Sequence, residues 1–289
     1  MILVTGASGT VGKEVLQQVL KSGAQCRAMF RSPQEAKKAP AGTETVIADF
    51  ARAETLSAAL RGIESVYLVC SPVPDLVELE GNAVHACAQA DVKHVVLNSA
   101  LGAGDYDKSF PSWHRKVEDQ LRATRLSWTI LRPNSFHQNT VAYYAPSIRA
   151  EGAFYSSLGN SRMSYIDVRD VAAVAARALK AAEHAGKIYE LNGPAALTSS
   201  EIAAKIATHS GRPVKYVDIP VDTQRKAMLD AGMPEWQISA LLDLQQYYVS
   251  GKGGEVDQVL QNLLRRSPIT MDEFLEQHAA AFRQQHTTA

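Results

Sequence analysis

Three glycines near the start of the chain, Gly6, Gly9 and Gly12, constrain its fold more than any other feature. They follow a short apolar run, residues 2–4, and precede a segment with apolar residues at helical spacing, residues 13–21. This order predicts a buried strand, a tight turn and an amphipathic helix. Such a turn lets a diphosphate approach the backbone, because no Cβ intervenes, and the N–H groups at the helix start bind the anion. The sequence therefore predicts dinucleotide binding; the alternative is a glycine-rich turn without a ligand.

The rest of the first half predicts the fold class. As far as residue 133, apolar segments of strand type alternate with segments of helical type. Connections through helices make neighbouring strands parallel and their crossovers right-handed. The alternation predicts an α/β fold with a doubly wound parallel sheet of the Rossmann type. We expect a dinucleotide-binding core in residues 1–133 and mainly a smaller C-terminal α/β substrate lobe in residues 134–289, with about 162–192 returning to the core.

The end of the second predicted strand indicates which dinucleotide binds. NAD sites carry an acidic residue about 20 residues after the glycines, where it binds the ribose 2′-hydroxyl. Here that position holds Arg31, and no carboxylate lies between Glu14 and Glu35. A guanidinium offers paired donors to a 2′-phosphate, whereas a carboxylate would repel it. The sequence therefore predicts NADPH in preference to NADH; the alternative is a solvated surface arginine.

Other predicted cofactor contacts lie at strand ends, because ligands of open α/β sheets bind outside the carboxyl ends of the strands. Ser71 and Pro72 follow the fourth predicted strand and are expected beside the diphosphate or the nicotinamide ribose. Pro133 ends a later strand and joins the predicted set. In the glycine loop, the predicted contacts are Gly6, Ser8, Gly9, Thr10, Val11 and Gly12.

Composition and charge exclude several other classes of protein. The chain is 46% hydrophobic and 21% charged, which is typical of a soluble globular protein. Its 30 Lys and Arg residues balance 30 Asp and Glu residues, so we expect neither a nucleic-acid nor a membrane partner. Cys26, Cys70 and Cys87 sit in apolar stretches, and we expect buried thiols in a cytoplasmic protein. No basic leader precedes the first strand, and no spacing of histidines and carboxylates indicates a metal site.

Several motifs together carry a family resemblance. The loop Thr5–Gly12 resembles that of the short-chain dehydrogenase/reductase superfamily. Phe110 and His114 stand where those enzymes have the Tyr and Lys of Tyr-x-x-x-Lys. With the stretches Leu131–Asn139 and Pro268–Phe274, the chain resembles the NmrA-like atypical members, and most of all the quinone oxidoreductases and triphenylmethane reductases.

The resemblance implies roles for further residues. Ser99 matches the catalytic serine, but Phe110 cannot donate a proton, so Ser99 and His114 are the catalytic candidates. His114 is a proton donor, a hydrogen-bond partner of the ribose, or a histidine on the helix surface. Asp49 and Phe50 are expected at the adenine; alternatively they belong to a helix cap.

The residues after Pro133 are expected to line the acceptor pocket, because they mix apolar faces with a few polar groups. This predicted set is Asn134, Phe136, His137, Asn139, Tyr143 and Tyr144. The two tyrosines are also candidate replacement donors, although such a pair more often serves packing. We expect a flexible link at Gly251–Gly254 and a frayed tail at 284–289.

Together these features predict an NADPH-dependent reductase that passes hydride to a quinone-like, azo or triphenylmethane-dye-like acceptor without the Tyr-x-x-x-Lys pair. Strong electrophiles accept hydride when they are stacked and oriented on the nicotinamide. One alternative is an NADP(H)-binding redox sensor without turnover, and another is an enzyme of secondary metabolism. The expected partner is a small aromatic or quinone-like molecule, and the expected assembly is a monomer or homodimer.

Overall fold

The computed structural model describes residues 1–284, so the tail after Gln284, where fraying was expected, lies outside the described residues. The strands are β1 (Ile2–Val4), β2 (Cys26–Phe30), β3 (Glu44–Ile47), β4 (Ser65–Leu68), β5 (His94–Asn98), β6 (Ser127–Pro133), β7 (Ala153–Ser156), β8 (Lys187–Leu191) and β9 (Lys215–Asp218). The α-helices are α1 (Thr10–Lys21), α2 (Pro33–Ala36), α3 (Ala53–Leu60), α4 (Leu76–Gln89), α5 (Ser109–Arg122), α6 (Ala145–Glu151), α7 (Val168–Ala178), α8 (Ser199–Ser210), α9 (Val221–Asp230), α10 (Glu235–Val249), α11 (Val259–Leu264) and α12 (Met271–His278). Shorter helical segments are the π-helix Thr140–Tyr144 and the 3-10 turns Ala182–His184 and Ala279–Phe282.

The described chain divides into two compact units. The first unit contains residues 1–133 and 168–191, and the second contains residues 134–167 and the chain from Asn192 onward. Each unit has a sheet of its own.

The first unit is built on a seven-stranded sheet in the order β3-β2-β1-β4-β5-β6-β8, with every neighbouring pair parallel. The order reverses between β1 and β4, which is the switch point of a doubly wound fold. The predicted fold class is confirmed. Because all strands are parallel, the segments that follow β1, β2, β3, β4, β5 and β6 emerge at the same edge of the sheet.

Helix α1 covers the strand that precedes it through an apolar face of Val15, Leu16 and Val19, which are buried. It begins at Thr10, three residues before the predicted start, because the extended Gly9 caps it and Gly12 lies inside its first turns. Gly12 is required there, since a Cβ would lie 2.8 Å from the carbonyl oxygen of Thr5.

The second unit contains a two-stranded parallel sheet, β7 paired with β9, and helices α6 and α8 to α12. A capping box, readable from the sequence, opens each of two helices: Thr198 and Glu201 open α8, and Thr270 and Glu273 open α12. The expected flexible link, Gly251–Gly254, is anchored at Gly253 by hydrogen bonds. Its carbonyl oxygen accepts hydrogen bonds from the Ser164 backbone N–H and the Asn134 side chain, and the residue is buried.

In the described residues, no helix has both the length and the apolar character that crossing a membrane requires.

Candidate active site

The glycine loop has the shape of an anion cradle. Gly6 lies in the left-handed region with φ of 57°, and its carbonyl oxygen accepts a hydrogen bond of 2.8 Å from the Gly9 N–H. A Cβ on Gly6 would lie 2.7 Å from the Val69 side chain. Helix α1 then starts with no side-chain cap and no acidic residue in its first turn. Its first N–H groups are therefore available to a diphosphate, so the loop fits the predicted cofactor.

The predicted ribose-phosphate residue, Arg31, is exposed at the end of β2. Burial raises the pKa of the Cys70 thiol to about 12, and the Arg31 charge opposes that rise in part. Glu35, which has no role predicted from the sequence, folds back from α2. Its carboxylate accepts from the Ser8 hydroxyl and from the Arg31 backbone N–H, both at 3.3 Å. A carboxylate thus lies against two of the predicted cofactor residues.

The other predicted cofactor residues, which lie at the carboxyl ends of the sheet strands, differ in solvent exposure. Ser71 and Pro72 are exposed after β4, whereas Pro133 is buried at the end of β6. The Asp49 carboxylate accepts from the Ala51 N–H at 3.0 Å, and Phe50 is buried in the core cluster of the first unit. Neither residue caps α3, whose N-cap is Arg52 without a side-chain cap; Asp49 holds the turn before the helix, and the adenine contacts of both residues remain a prediction.

Ser99, at the end of β5, is buried and is held by a carboxylate. Its hydroxyl donates to Glu118 Oε1 at 2.5 Å. Arg132 binds the same carboxylate with two donors, Nε at 2.9 Å and Nη2 at 2.7 Å. A third interaction joins Arg132 to Glu190 on β8 at 3.3 Å. The Ser99 hydroxyl is therefore engaged within the first unit, and its catalytic role remains a prediction.

His114 is buried on α5, so the interpretation as a surface histidine is wrong. Burial lowers the pKa of His114 from 6.5 to about 4, with the Glu118 carboxylate acting in the opposite direction. Among the described residues, its Nδ1 atom has no hydrogen-bond partner. The ring is thus neutral at physiological pH and keeps one ring nitrogen for a ligand.

Part of the predicted acceptor set lies within the packing of the second unit. The Asn134 amide donates to Asn192 at 3.0 Å and to the Gly253 carbonyl at 2.9 Å. His137 is buried and packs against Phe274, with ring centroids 5.5 Å apart. Phe136 forms a β-bridge with Ile166.

The other predicted acceptor residues, Asn139, Tyr143 and Tyr144, line one cavity of about 460 Å³ in the second unit. Its lining also includes residues that no sequence pattern indicated, among them Met163, Tyr165, Met228, Met233, Leu241 and Tyr248. None of the described residues that line it carries a charged side chain. Tyr144 is fixed by stacking on Phe154, with ring centroids 4.2 Å apart. The cavity has the size and composition of a site for a small aromatic molecule.

Two of these tyrosines interact directly. The Tyr165 hydroxyl donates to the Met163 sulfur at 3.4 Å and lies within hydrogen-bonding reach of the Tyr144 hydroxyl. Nothing in the sequence pattern around Met163–Tyr165 indicates that the Tyr165 side chain lies beside that of Tyr144.

Comparison with known proteins identifies the family. A profile described as NAD(P)H-binding matches residues 6–182. The chain is 35% identical to an NAD(P)H azoreductase of Xenophilus azovorans over 98% of this chain and 99% of that protein.

Solved structures agree. An NADPH-dependent quinone oxidoreductase from Escherichia coli, complexed with NADPH, aligns with a TM-score of 0.89 and 28% identity over 96% of this chain and 99% of that one. A triphenylmethane reductase from Citrobacter sp., complexed with NADP(H), aligns with a TM-score of 0.87 and 25% identity over the same shares. These matches confirm the predicted resemblance to atypical short-chain dehydrogenases. The chain belongs to the NAD(P)H-binding family and to its NmrA-like atypical short-chain dehydrogenase/reductase branch.

Proposed function

We propose that this protein is an NADPH-dependent reductase that passes hydride to a quinone, an azo compound or a triphenylmethane dye. The observation that carries the proposal is the uncharged cavity of aromatic and methionine side chains in the second unit. Flat conjugated molecules stack on aromatic rings, and thioethers adapt to their edges. The relatives named for azo, quinone and triphenylmethane substrates point to the same classes of acceptor.

The first unit has the residues to hold the cofactor. The glycine loop and the start of α1 would bind the diphosphate, and Arg31 would bind the 2′-phosphate. NADPH, when bound, supplies the hydride. Asp49, Phe50, Ser71, Pro72 and Pro133 stay in the proposed contact set because they follow or end strands at the same edge of the sheet.

We assign His114 to the cofactor ribose rather than to proton donation. A pKa of about 4 leaves almost no imidazolium at pH 7, and the unpartnered Nδ1 is available to a ribose hydroxyl. We expect His114→Ala to raise the NADPH dissociation constant while the maximal rate at saturating NADPH stays within about twofold. A collapse of that rate with unchanged NADPH binding would instead make His114 a proton donor.

Ser99 serves this site as a positioning residue in our proposal, since its hydroxyl orients the Glu118 carboxylate that faces His114 along α5. We also place the protein in the cytoplasm, because its three cysteines are unpaired: Cys26 and Cys87 are buried and Cys70 is partly buried.

The test follows NADPH absorbance with a panel of quinones, azo dyes and triphenylmethane dyes. We expect oxidation with at least one class, and competition by flat uncharged aromatic molecules. Tight NADPH binding without oxidation by any member of the panel would overturn the reductase proposal and leave a protein that senses the dinucleotide.

A further inference from the structure

Reduction of a quinone needs a proton as well as a hydride, and the familiar donor is absent from this chain. Phe110 stands at the tyrosine position of the superfamily motif and has no hydroxyl. His114 is neutral at physiological pH, because burial lowers its pKa to about 4. Among the described residues that line the acceptor cavity there is no histidine, lysine or carboxylate. The most acidic side chains of the lining are therefore tyrosines.

Tyr144 and Tyr165 stand out among those tyrosines because both line the cavity and their hydroxyls lie within hydrogen-bonding reach of each other. Tyr155 differs, since its hydroxyl donates to Glu151 at 2.6 Å and it is largely exposed. The Tyr144 ring is held by stacking on Phe154, and Tyr165 is 3% exposed. A hydroxyl rotates freely about its C–O bond, so Tyr144 can donate into the cavity while it accepts from Tyr165.

We propose that Tyr144 is the proton donor for acceptors that gain a negative charge on hydride transfer, and that Tyr165 is a positioning residue whose hydroxyl orients that of Tyr144. The inference rests on the proposed function, since it requires the acceptor to occupy this cavity. A quinone takes a hydride from NADPH, which leaves NADP⁺ and one negatively charged oxygen. The Tyr144 O–H bond breaks as an O–H bond forms on that oxygen, and the Tyr165 hydroxyl donates to the resulting Tyr144 phenolate. Water returns a proton to Tyr144 after the hydroquinone has left.

The energetics of this step are close to balanced. Burial raises the pKa of Tyr144 and of Tyr165, so both hydroxyls are protonated throughout the physiological range. A hydroquinone oxygen is chemically a phenol oxygen, and burial in the same uncharged cavity raises its basicity as it raises that of Tyr144. Transfer between two oxygens of similar basicity needs little driving force when the hydrogen bond is already formed.

The acceptor classes supply an internal control. A triphenylmethane dye is a cation whose central carbon takes the hydride, and the neutral product forms without a proton. We therefore expect Tyr144→Phe to lower kcat for a quinone by about 100-fold and kcat for a triphenylmethane dye by less than about twofold. Tyr165→Phe should change the quinone-to-dye ratio of kcat in the same direction by a smaller factor. Added imidazolium at constant pH should raise the quinone kcat of Tyr144→Phe in proportion to its concentration and leave the wild-type kcat unchanged.

The matched control is Tyr216→Phe, which removes a hydroxyl from the same aromatic cluster. Tyr216 packs on Phe154, and its hydroxyl donates to the Ser156 carbonyl and to Asp218. We expect its quinone-to-dye ratio to equal the wild-type ratio. An unchanged quinone kcat in Tyr144→Phe, or equal losses with both acceptors and no rescue by imidazolium, would overturn the proton-donor role. Wild-type protein that binds NADPH but does not oxidise it with any of the quinones, azo compounds or dyes would instead refute the proposed function.

Discussion

At the scale of single residues, the cofactor edge combines one cation with one anion. Arg31 is the predicted partner of the 2′-phosphate, and the Glu35 carboxylate lies against the Arg31 backbone and the Ser8 hydroxyl. In the proposed complex both groups would act on the charge of the 2′-phosphate, with opposite signs. The preference for NADPH over NADH therefore depends on the balance between them, and each can be tested separately.

Arg31→Ala should weaken NADPH binding by about 1.5–3 kcal/mol, because one charge-assisted contact to the phosphate is lost. NADH has no 2′-phosphate, so its affinity should not change. Calorimetric titration of both coenzymes measures this, with Lys37→Ala as the control for a lost exposed positive charge on the same segment. Equal losses of affinity for the two coenzymes would show that Arg31 does not bind the 2′-phosphate.

Glu35→Gln should strengthen NADPH binding, since the neutral amide no longer repels the phosphate. The expected gain is on the order of 1 kcal/mol at low ionic strength and shrinks as salt is added. NADH affinity should stay within about twofold. The same calorimetric titrations at two salt concentrations provide the measurement, and weaker NADPH binding in the variant would make Glu35 a ligand instead of an opposing charge.

At the scale of secondary-structure elements, the buried Glu118 carboxylate and its partner Arg132 link helix α5 to the strands β5, β6 and β8. Glu118 on α5 accepts from Ser99 after β5 and from Arg132 on β6, and Arg132 also reaches Glu190 on β8. The Glu118 side chain is 2% exposed and that of Arg132 is 11% exposed. Two paired donors on a buried carboxylate fix the helix against the sheet beside His114.

Arg132→Ala should lower the free energy of unfolding by about 3–5 kcal/mol, because it leaves the Glu118 charge buried without its partner. Urea unfolding followed by circular dichroism measures the loss. Arg122→Ala is the matched control on α5: its pair with Asp119 spans 3.6 Å at the surface, and such pairs contribute about 1 kcal/mol or less. Similar losses in the two variants would contradict the role of the buried pair.

At the scale of the whole molecule, stability should depend on a second buried carboxyl. Glu80 on α4 is fully buried, and burial raises its pKa from 4.5 to about 8, opposed only in part by the nearby Cys70 backbone N–H. The native protein therefore keeps a proton that the unfolded chain releases above pH 4.5. Stability from this group is complete below about pH 4.5 and is lost progressively as the pH rises toward about 8.

Glu80→Gln should remove that loss, because the amide does not titrate. The difference in unfolding free energy between variant and wild type should grow in favour of the variant by about 1 kcal/mol per pH unit between pH 5 and pH 7. Urea unfolding at a series of pH values tests this. Glu78→Gln, on the exposed side of the same helix, is the control and should leave the pH profile unchanged. Parallel profiles for Glu80→Gln and wild type would rule out a raised pKa.

Local patterns in the sequence determined the fold class, the glycine loop and both capping boxes, because each depends on residues within a few positions of one another. They also indicated the family and the NADPH cofactor, which the comparisons confirm. Only the tertiary structure decided the contacts between distant positions: Glu118 with Arg132, Glu35 with Ser8, and Tyr165 with Tyr144. Side-chain partners so far apart are set by how helices pack on a sheet and on one another, and no short pattern encodes that packing. The same packing decided that His114 is buried and neutral, which a helical spacing alone left open.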